Sequence, residues 1–193
     1  MIHIVTIAGS ARPGNYTNKA LQVAIDELNR HDNITMTQIN PAELRLAIPG
    51  TTMDSSDRGW LIETVKSADG VILATPEYHG TFSSLMKLTI ENMGYPSALK
   101  DKPVSLLGVA AGRIGAIKSL EHLRSVASHI GALVLPDPIS IAHVRDRFDK
   151  DGRVLDDVTE KAIRDLANDL LDYIRATICP DLSTEQRVRA ATE

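Results

Sequence analysis

The chain has 193 residues, a formal net charge of −4 and 43% hydrophobic residues, which are the proportions of one soluble globular domain. The negative charge and the lack of a long Lys/Arg run argue against nucleic acid as a partner. The single cysteine, Cys179, excludes an intramolecular disulfide and a multi-cysteine metal site. No apolar run is long enough to span a membrane, and the first residues lack the basic region of a signal peptide. A cytoplasmic protein is therefore expected.

Short apolar segments alternate with longer segments of helical periodicity along most of the chain. The predicted strands, which are mostly apolar, cover residues 2–8, 34–39, 70–74, 103–110 and 132–135. The predicted helices, which carry an apolar stripe, cover residues 17–28, 57–68, 83–92, 116–130 and 156–178. This alternation predicts an α/β fold with a parallel sheet covered on both faces. Residues 1–178 are expected to form one domain, followed by a polar tail over residues 179–193.

Ligands of such sheets bind beyond the carboxyl ends of the strands, so the loops at 9–16, 75–82 and 111–115 are the candidates. The first loop joins a strand to a helix, where free backbone N–H groups and the helix dipole favour an anion. Arg12 adds a planar cation that suits phosphate. Position 11 is alanine and Gly14 is followed by Asn15, so neither a dinucleotide fingerprint nor a Walker A loop fits. A polar turn that ends in a helix cap at Thr17 is the alternative.

The second loop reads Thr-Pro-Glu-Tyr-His-Gly-Thr-Phe from residue 75 and again leaves a strand to enter a helix. Gly80 permits close approach of the backbone to a ligand, and Tyr78 offers an aromatic face. Exposed N–H groups beside such a face suit the edge of a flat heterocycle.

Together, the Gly-Ser-x-Arg segment and the Pro-Glu-Tyr-His-Gly-Thr segment resemble the NADPH-dependent FMN reductases. That family includes azo-, quinone- and chromate-reducing flavoproteins. The resemblance extends over most of the chain, to about residue 178. It implies a flavodoxin-like three-layer sandwich with a five-stranded parallel sheet. It also implies bound FMN as cofactor, NADPH or NADH as reductant, and a small-molecule electron acceptor.

The resemblance also implies a set of binding residues. The FMN phosphate is expected to be held by residues of the first loop and helix start, with Tyr16 packing nearby: Ser10, Arg12, Asn15, Thr17 and Asn18. The isoalloxazine is expected to lie against Pro76, Glu77, Tyr78, His79 and Gly80, mostly through backbone groups, with Gly112 and Arg113 at its far edge. No catalytic side chain and no metal is expected, since the cofactor supplies the chemistry. Leu88 follows Lys87 where the family commonly has asparagine.

Further expectations concern the alternative function, the roles of His79 and Glu77, and the oligomeric state. A flavodoxin-type electron carrier, or a flavin-binding module without turnover, is the alternative function. His79 is expected to act through its backbone rather than as a proton donor, and Glu77 to brace the loop or a partner subunit. The resemblance implies a homodimer or homotetramer, and the predicted helix after the second loop, which is apolar on more than one face, agrees with cover by a second subunit. Cover by the loop at 41–56 is the alternative explanation for those apolar residues.

Overall fold

A computed structural model describes residues 1–177. The predicted tail at 179–193, with Cys179, and the last residue of the predicted terminal helix lie outside the described residues. The strands are β1 Ile2–Ala8, β2 Ile34–Ile39, β3 Gly70–Tyr78, β4 Thr81–Phe82, β5 Pro103–Val109, β6 Leu133–Val134 and β7 Ile139–Ile141. The helices are α1 Tyr16–Leu28, α2 Arg58–Lys66, α3 Ser84–Glu91, α4 Ile117–His129, α5 Val144–Arg147 and α6 Asp157–Thr177. A 3₁₀ turn spans Pro41–Glu43.

Within residues 1–177 the sheet has seven strands, five of them in the parallel order β2-β1-β3-β5-β6. This is the doubly wound order of flavodoxin-like proteins, so the predicted fold class is confirmed. Two short strands lie off this path: β4 pairs antiparallel with β3, and β7 pairs parallel with β5.

The predicted edge strand at 132–135 is wrong in extent. Only Leu133–Val134 pair with the start of β5, and the chain pairs with β5 again at Ile139–Ile141. Pro136 and Pro138 lie between the two segments. Proline has no N–H to donate to a sheet, so the edge is interrupted there.

Alternation along the strands sends side chains to two separate cores. Ile4 faces α1 and α6, where Leu28 and Leu170 are also fully buried. Val5, its neighbour, belongs to the opposite core with Leu61 of α2. Successive residues of a strand point to opposite faces, and the result is the three-layer arrangement of helices, sheet and helices.

The loop after β2 covers much of α3. Leu46 is 6% exposed and packs in the same core as Met86 and Ile90 of α3. The Asn92 side chain, at the end of α3, donates a hydrogen bond to the carbonyl oxygen of Ala47 at 2.9 Å. The apolar residues of α3 are therefore covered largely within the chain, which is the alternative raised by the sequence. They do not by themselves require a second subunit.

Candidate functional site

A cavity of about 380 Å³ opens at the carboxyl ends of β1, β3 and β5. Its walls come from the first and second candidate loops, from the end of β5 and from α5. The lining residues are Ser10, Arg12, Pro13, Gly14, Asn15, Tyr16, Thr17, Pro76, Glu77, Tyr78, Val109, Ala110, Ala111, Val144 and Arg145. The structure thus brings the first two predicted loops together around one space, and the third loop reaches it through its first residue, Ala111.

The start of α1 forms one end of this cavity. Asn15 caps the helix: its side-chain oxygen accepts from the Asn18 amide at 2.8 Å, and its side-chain nitrogen donates to the Arg12 carbonyl at 2.6 Å. The amides of Tyr16 and Thr17, in the first turn, have no acceptor within the helix. They lie at the positive end of the helix dipole, where an anion is stabilised.

Ser10 adds a hydroxyl to the same end. The residue is 3% exposed, and its Oγ has no hydrogen-bond partner among residues 1–177. A buried hydroxyl without a partner is unfavourable. An oxygen-rich ligand at the start of α1 would satisfy it.

The loops after β1 and β3 are locked together by hydrogen bonds. The Gly9 amide donates to the Ala74 carbonyl at 2.7 Å. Ser83 Oγ donates to the Gly9 carbonyl at 2.5 Å and accepts from the Met86 amide at 3.0 Å, which caps α3. A Cβ at Gly9 would lie 3.0 Å from the Ala74 oxygen, so the close approach of the two loops requires glycine. The distance between the loops after β1 and β3, which wall the cavity, is therefore fixed by the backbone.

The second loop is a tight β-hairpin rather than an irregular loop. Glu77 pairs with Phe82 and Tyr78 with Thr81, which leaves His79 and Gly80 as the two turn residues. Both have positive φ, 51° and 75°, as a type I′ turn requires. Asparagine followed by glycine is the preferred pair in that turn. The turn thus requires the left-handed backbone conformation of His79, whose side chain is exposed.

Glu77 holds the hairpin against α4 of the same chain. Its Oε2 accepts a hydrogen bond from the Ser119 amide, in the first turn of α4, at 3.1 Å. A second bond of 3.0 Å joins Thr81 Oγ1 to His122 Nδ1 on that helix. The carboxylate therefore satisfies an otherwise free helix amide and stiffens the wall of the cavity.

Five predicted binding residues do not line this cavity: Asn18, His79, Gly80, Gly112 and Arg113. Asn18 faces a polar pocket between α1 and the end of β2. His79 lines a neighbouring space of about 550 Å³, together with Arg12, Glu77 and Tyr78. The Gly112 carbonyl accepts from the amides of Gly115 and His143.

Sequence reasoning missed the segment that follows β7. The Val144 amide donates to the Ala110 carbonyl at 3.0 Å, which brings Val144 and Arg145 to the cavity. Val109, at the end of β5, was missed as well. The signal for Arg145 was a cation shortly after an apolar strand, and it went unseen because the strand Ile139–Ile141 was not predicted.

Strand order, an anion-binding helix start and an aromatic hairpin define a nucleotide- or flavin-binding protein of the flavodoxin-like class. The family model described as NADPH-dependent FMN reductase matches residues 2–146. The chain belongs to this family. Membership confirms the predicted class, an FMN-dependent oxidoreductase with NADPH or NADH as reductant.

Two relatives and one solved structure illustrate the similarity. An NAD(P)H-dependent FMN reductase from Pseudomonas aeruginosa is 29% identical, over 90% of this chain and 96% of that protein. An FMN-dependent NADPH-azoreductase from Staphylococcus haemolyticus is 30% identical, over 79% of this chain and 80% of that protein. The structure of FerB, an NAD(P)H:(acceptor) oxidoreductase from Paracoccus denitrificans, matches with a TM-score of 0.75 at 21% identity. It covers 91% of this chain and 98% of that chain, and supports the fold.

Proposed function

We propose that this chain catalyses oxidation of NAD(P)H by a quinone, a flavin or a similar small acceptor, with FMN held in the cavity at the ends of β1, β3 and β5. The observation that carries the proposal is the buried Ser10 hydroxyl, which has no partner among residues 1–177 and lies beside the start of α1. An FMN phosphate is the ligand that this end suits, since it brings both negative charge and acceptor oxygens. Bound FMN supplies the centre that accepts and donates hydride.

The residues around the cavity bind FMN and orient it. Ser10, Thr17 and the first-turn amides of α1 donate to the phosphate, and Arg12 offsets its charge. The flavin ring is supported by Pro76, Tyr78 and the backbone of the hairpin. Because Glu77 ties the hairpin to α4, this wall is rigid before the ligand arrives, and preorganisation lowers the cost of binding.

The neighbouring space of about 550 Å³ provides room for NAD(P)H or the acceptor. It shares Arg12, Glu77 and Tyr78 with the FMN cavity, so a molecule there lies next to the cofactor. The second space is lined by side chains of mixed polarity, including His79 and Phe82. This mixed lining suits flat acceptors of more than one chemistry.

The visible spectrum of the purified protein tests the cofactor. Protein saturated with FMN should show flavin absorption, and NADPH or NADH should bleach it without oxygen; a quinone should then restore the colour. Protein that takes up no FMN would refute the cofactor site. Flavin that is bound but not reduced by either nucleotide would favour the electron carrier or the flavin-binding module.

We further propose that the chain forms a homodimer or homotetramer. Large apolar side chains are exposed around α2 and the end of α3: Ile48 at 55%, Met53 at 53%, Trp60 at 49% and Tyr95 at 102%. These segments are neighbours, since Asn92 bonds to Ala47 and a Cβ at Gly94 would lie 3.5 Å from Ile62. Exposed apolar side chains on neighbouring segments are typical of a subunit interface.

Light scattering at micromolar concentration measures the mass. Charged substitutions at Trp60 and Tyr95 should lower it toward the 21.0 kDa monomer. Val158→Glu, at an apolar residue that is 78% exposed on α6, is the matched control and should change nothing. A wild-type mass of 21.0 kDa with full activity would rule the oligomer out.

Within residues 1–177 no helix is long and apolar enough to cross a membrane. We propose a cytoplasmic location because the reductant is a cytoplasmic nucleotide.

A further inference from the structure

Arg145 is a cavity residue that lies outside all three loops predicted to bind the cofactor. It belongs to α5, a single helical turn that follows β7.

The segment that carries Arg145 is docked against the start of α1. Val144 is 4% exposed and packs in the core formed with α1 and α6. The ring of Phe148 lies 6.2 Å from the ring of Tyr16. Lys19 Nζ donates to the carbonyl oxygens of Asp149 and Lys150 at 2.7 and 3.0 Å. Contacts on both sides of Arg145 thus hold it at the end of the cavity where the α1 amides favour an anion.

Arg12, the other cavity arginine, is placed differently. Its guanidinium carbon lies 4.8 Å from the centre of the Tyr78 ring, so a cation–π contact holds it against the hairpin. Arg12 also lines the second space beside the hairpin. The two cations therefore reach the cavity from different elements, Arg12 from the loop after β1 and Arg145 from α5.

The charge of Arg145 is not balanced by an ion pair within the described part of the chain. Among residues 1–177, no carboxylate lies within ion-pair distance of Arg145. Arg147, two positions later, pairs with Asp156 at 3.2 Å. A phosphomonoester carries roughly 1.5 to 2 negative charges at neutral pH, and a guanidinium matches its oxygens well.

We propose that Arg145 binds the phosphate group of FMN and so makes the cavity selective for FMN over riboflavin. This inference rests on the proposed function, because it places FMN in the same cavity. Arg145, from the α5 turn, then binds the phosphate together with the residues of the loop after β1.

Titration of apo-protein with FMN and with riboflavin, followed by flavin fluorescence, tests the inference. Riboflavin is FMN without the phosphate, so a phosphate contact affects only the FMN titration. Arg145→Met should weaken FMN binding by about 10- to 100-fold and leave riboflavin binding unchanged. Arg145→Lys keeps the charge and should recover part of the loss. Arg147→Met removes a nearby arginine that is paired elsewhere, and should leave both affinities unchanged.

The outcomes separate this inference from the proposed function. Wild-type protein that binds no FMN contradicts both. Wild-type protein that binds FMN, with Arg145→Met unchanged or with equal losses for FMN and riboflavin, overturns the role of Arg145 alone. If riboflavin binds too weakly to titrate, orthophosphate competition replaces it: Arg145→Met should raise the inhibitory phosphate concentration about tenfold, and an unchanged value overturns the proposal.

Discussion

Replacement of Ser10 by alanine should change stability and affinity in opposite directions. In the ligand-free protein the Ser10 hydroxyl is buried without a partner among residues 1–177, a situation that costs about 1–3 kcal/mol. Ser10→Ala should therefore leave the free energy of unfolding unchanged or raise it by up to about 1 kcal/mol. With FMN bound, the variant lacks one hydrogen bond to a charged phosphate, worth about 1.5–3 kcal/mol. The dissociation constant of FMN should rise about 10- to 100-fold.

Ser83→Ala is the matched control, since it makes the same chemical change at another buried serine. Ser83 is 4% exposed, but its Oγ donates to Gly9 and accepts from Met86. Its loss should destabilise the ligand-free protein by about 1–2 kcal/mol. Urea unfolding of the apo-proteins and fluorescence titration with FMN measure both quantities. The reasoning is refuted if Ser10→Ala destabilises the apo-protein as much as Ser83→Ala while the FMN dissociation constant stays the same.

The remaining predictions concern Arg12, His79 and Glu27. Arg12→Ala should weaken FMN binding by about 10- to 100-fold. An unchanged dissociation constant of FMN, measured by titration, would exclude a contact between Arg12 and the phosphate. His79→Asn should keep FMN binding and most turnover, because asparagine suits the left-handed turn at this position. A stopped-flow loss of hydride transfer beyond about a hundredfold would instead show that the side chain is catalytic. For Glu27, burial raises the pKa, but hydrogen bonds from Asn168 and Arg164 outweigh it and lower the pKa below the ordinary 4.5. The stabilisation by ionised Glu27 is therefore complete above pH 4.5 and is lost as the pH falls through the lowered pKa. In Glu27→Gln the melting temperature should therefore depend less on pH over that acidic range than it does in the wild type.

Much of the site was visible from the sequence, because strand-to-helix loops are encoded locally. The loop after β1 predicts a helix start that suits an anion, but the sequence put the cap at Thr17, and the structure shows that Asn15 is the cap. Tyr78 and Gly80 predict a loop with an aromatic face and a close backbone approach to a ligand, but the β-hairpin that carries them was not predicted. The polar run Thr75–Pro76–Glu77 nevertheless hid the true length of β3. Those residues stay extended because they pair with Gly108 and Val109 of β5 and with Phe82 of β4.

The sequence by itself determined the alternation of strands and helices, the α/β class and the two loops that face the cavity. Periodicity and turn residues act over a few positions, so they can be read without the fold. Only the tertiary structure decided that α5 brings Arg145 to the cavity, that the Ser10 hydroxyl has no partner among residues 1–177 and that Glu77 bonds to α4. Each of these depends on contacts between residues far apart in the chain, and no local pattern records which distant group will lie beside a side chain once the sheet has assembled.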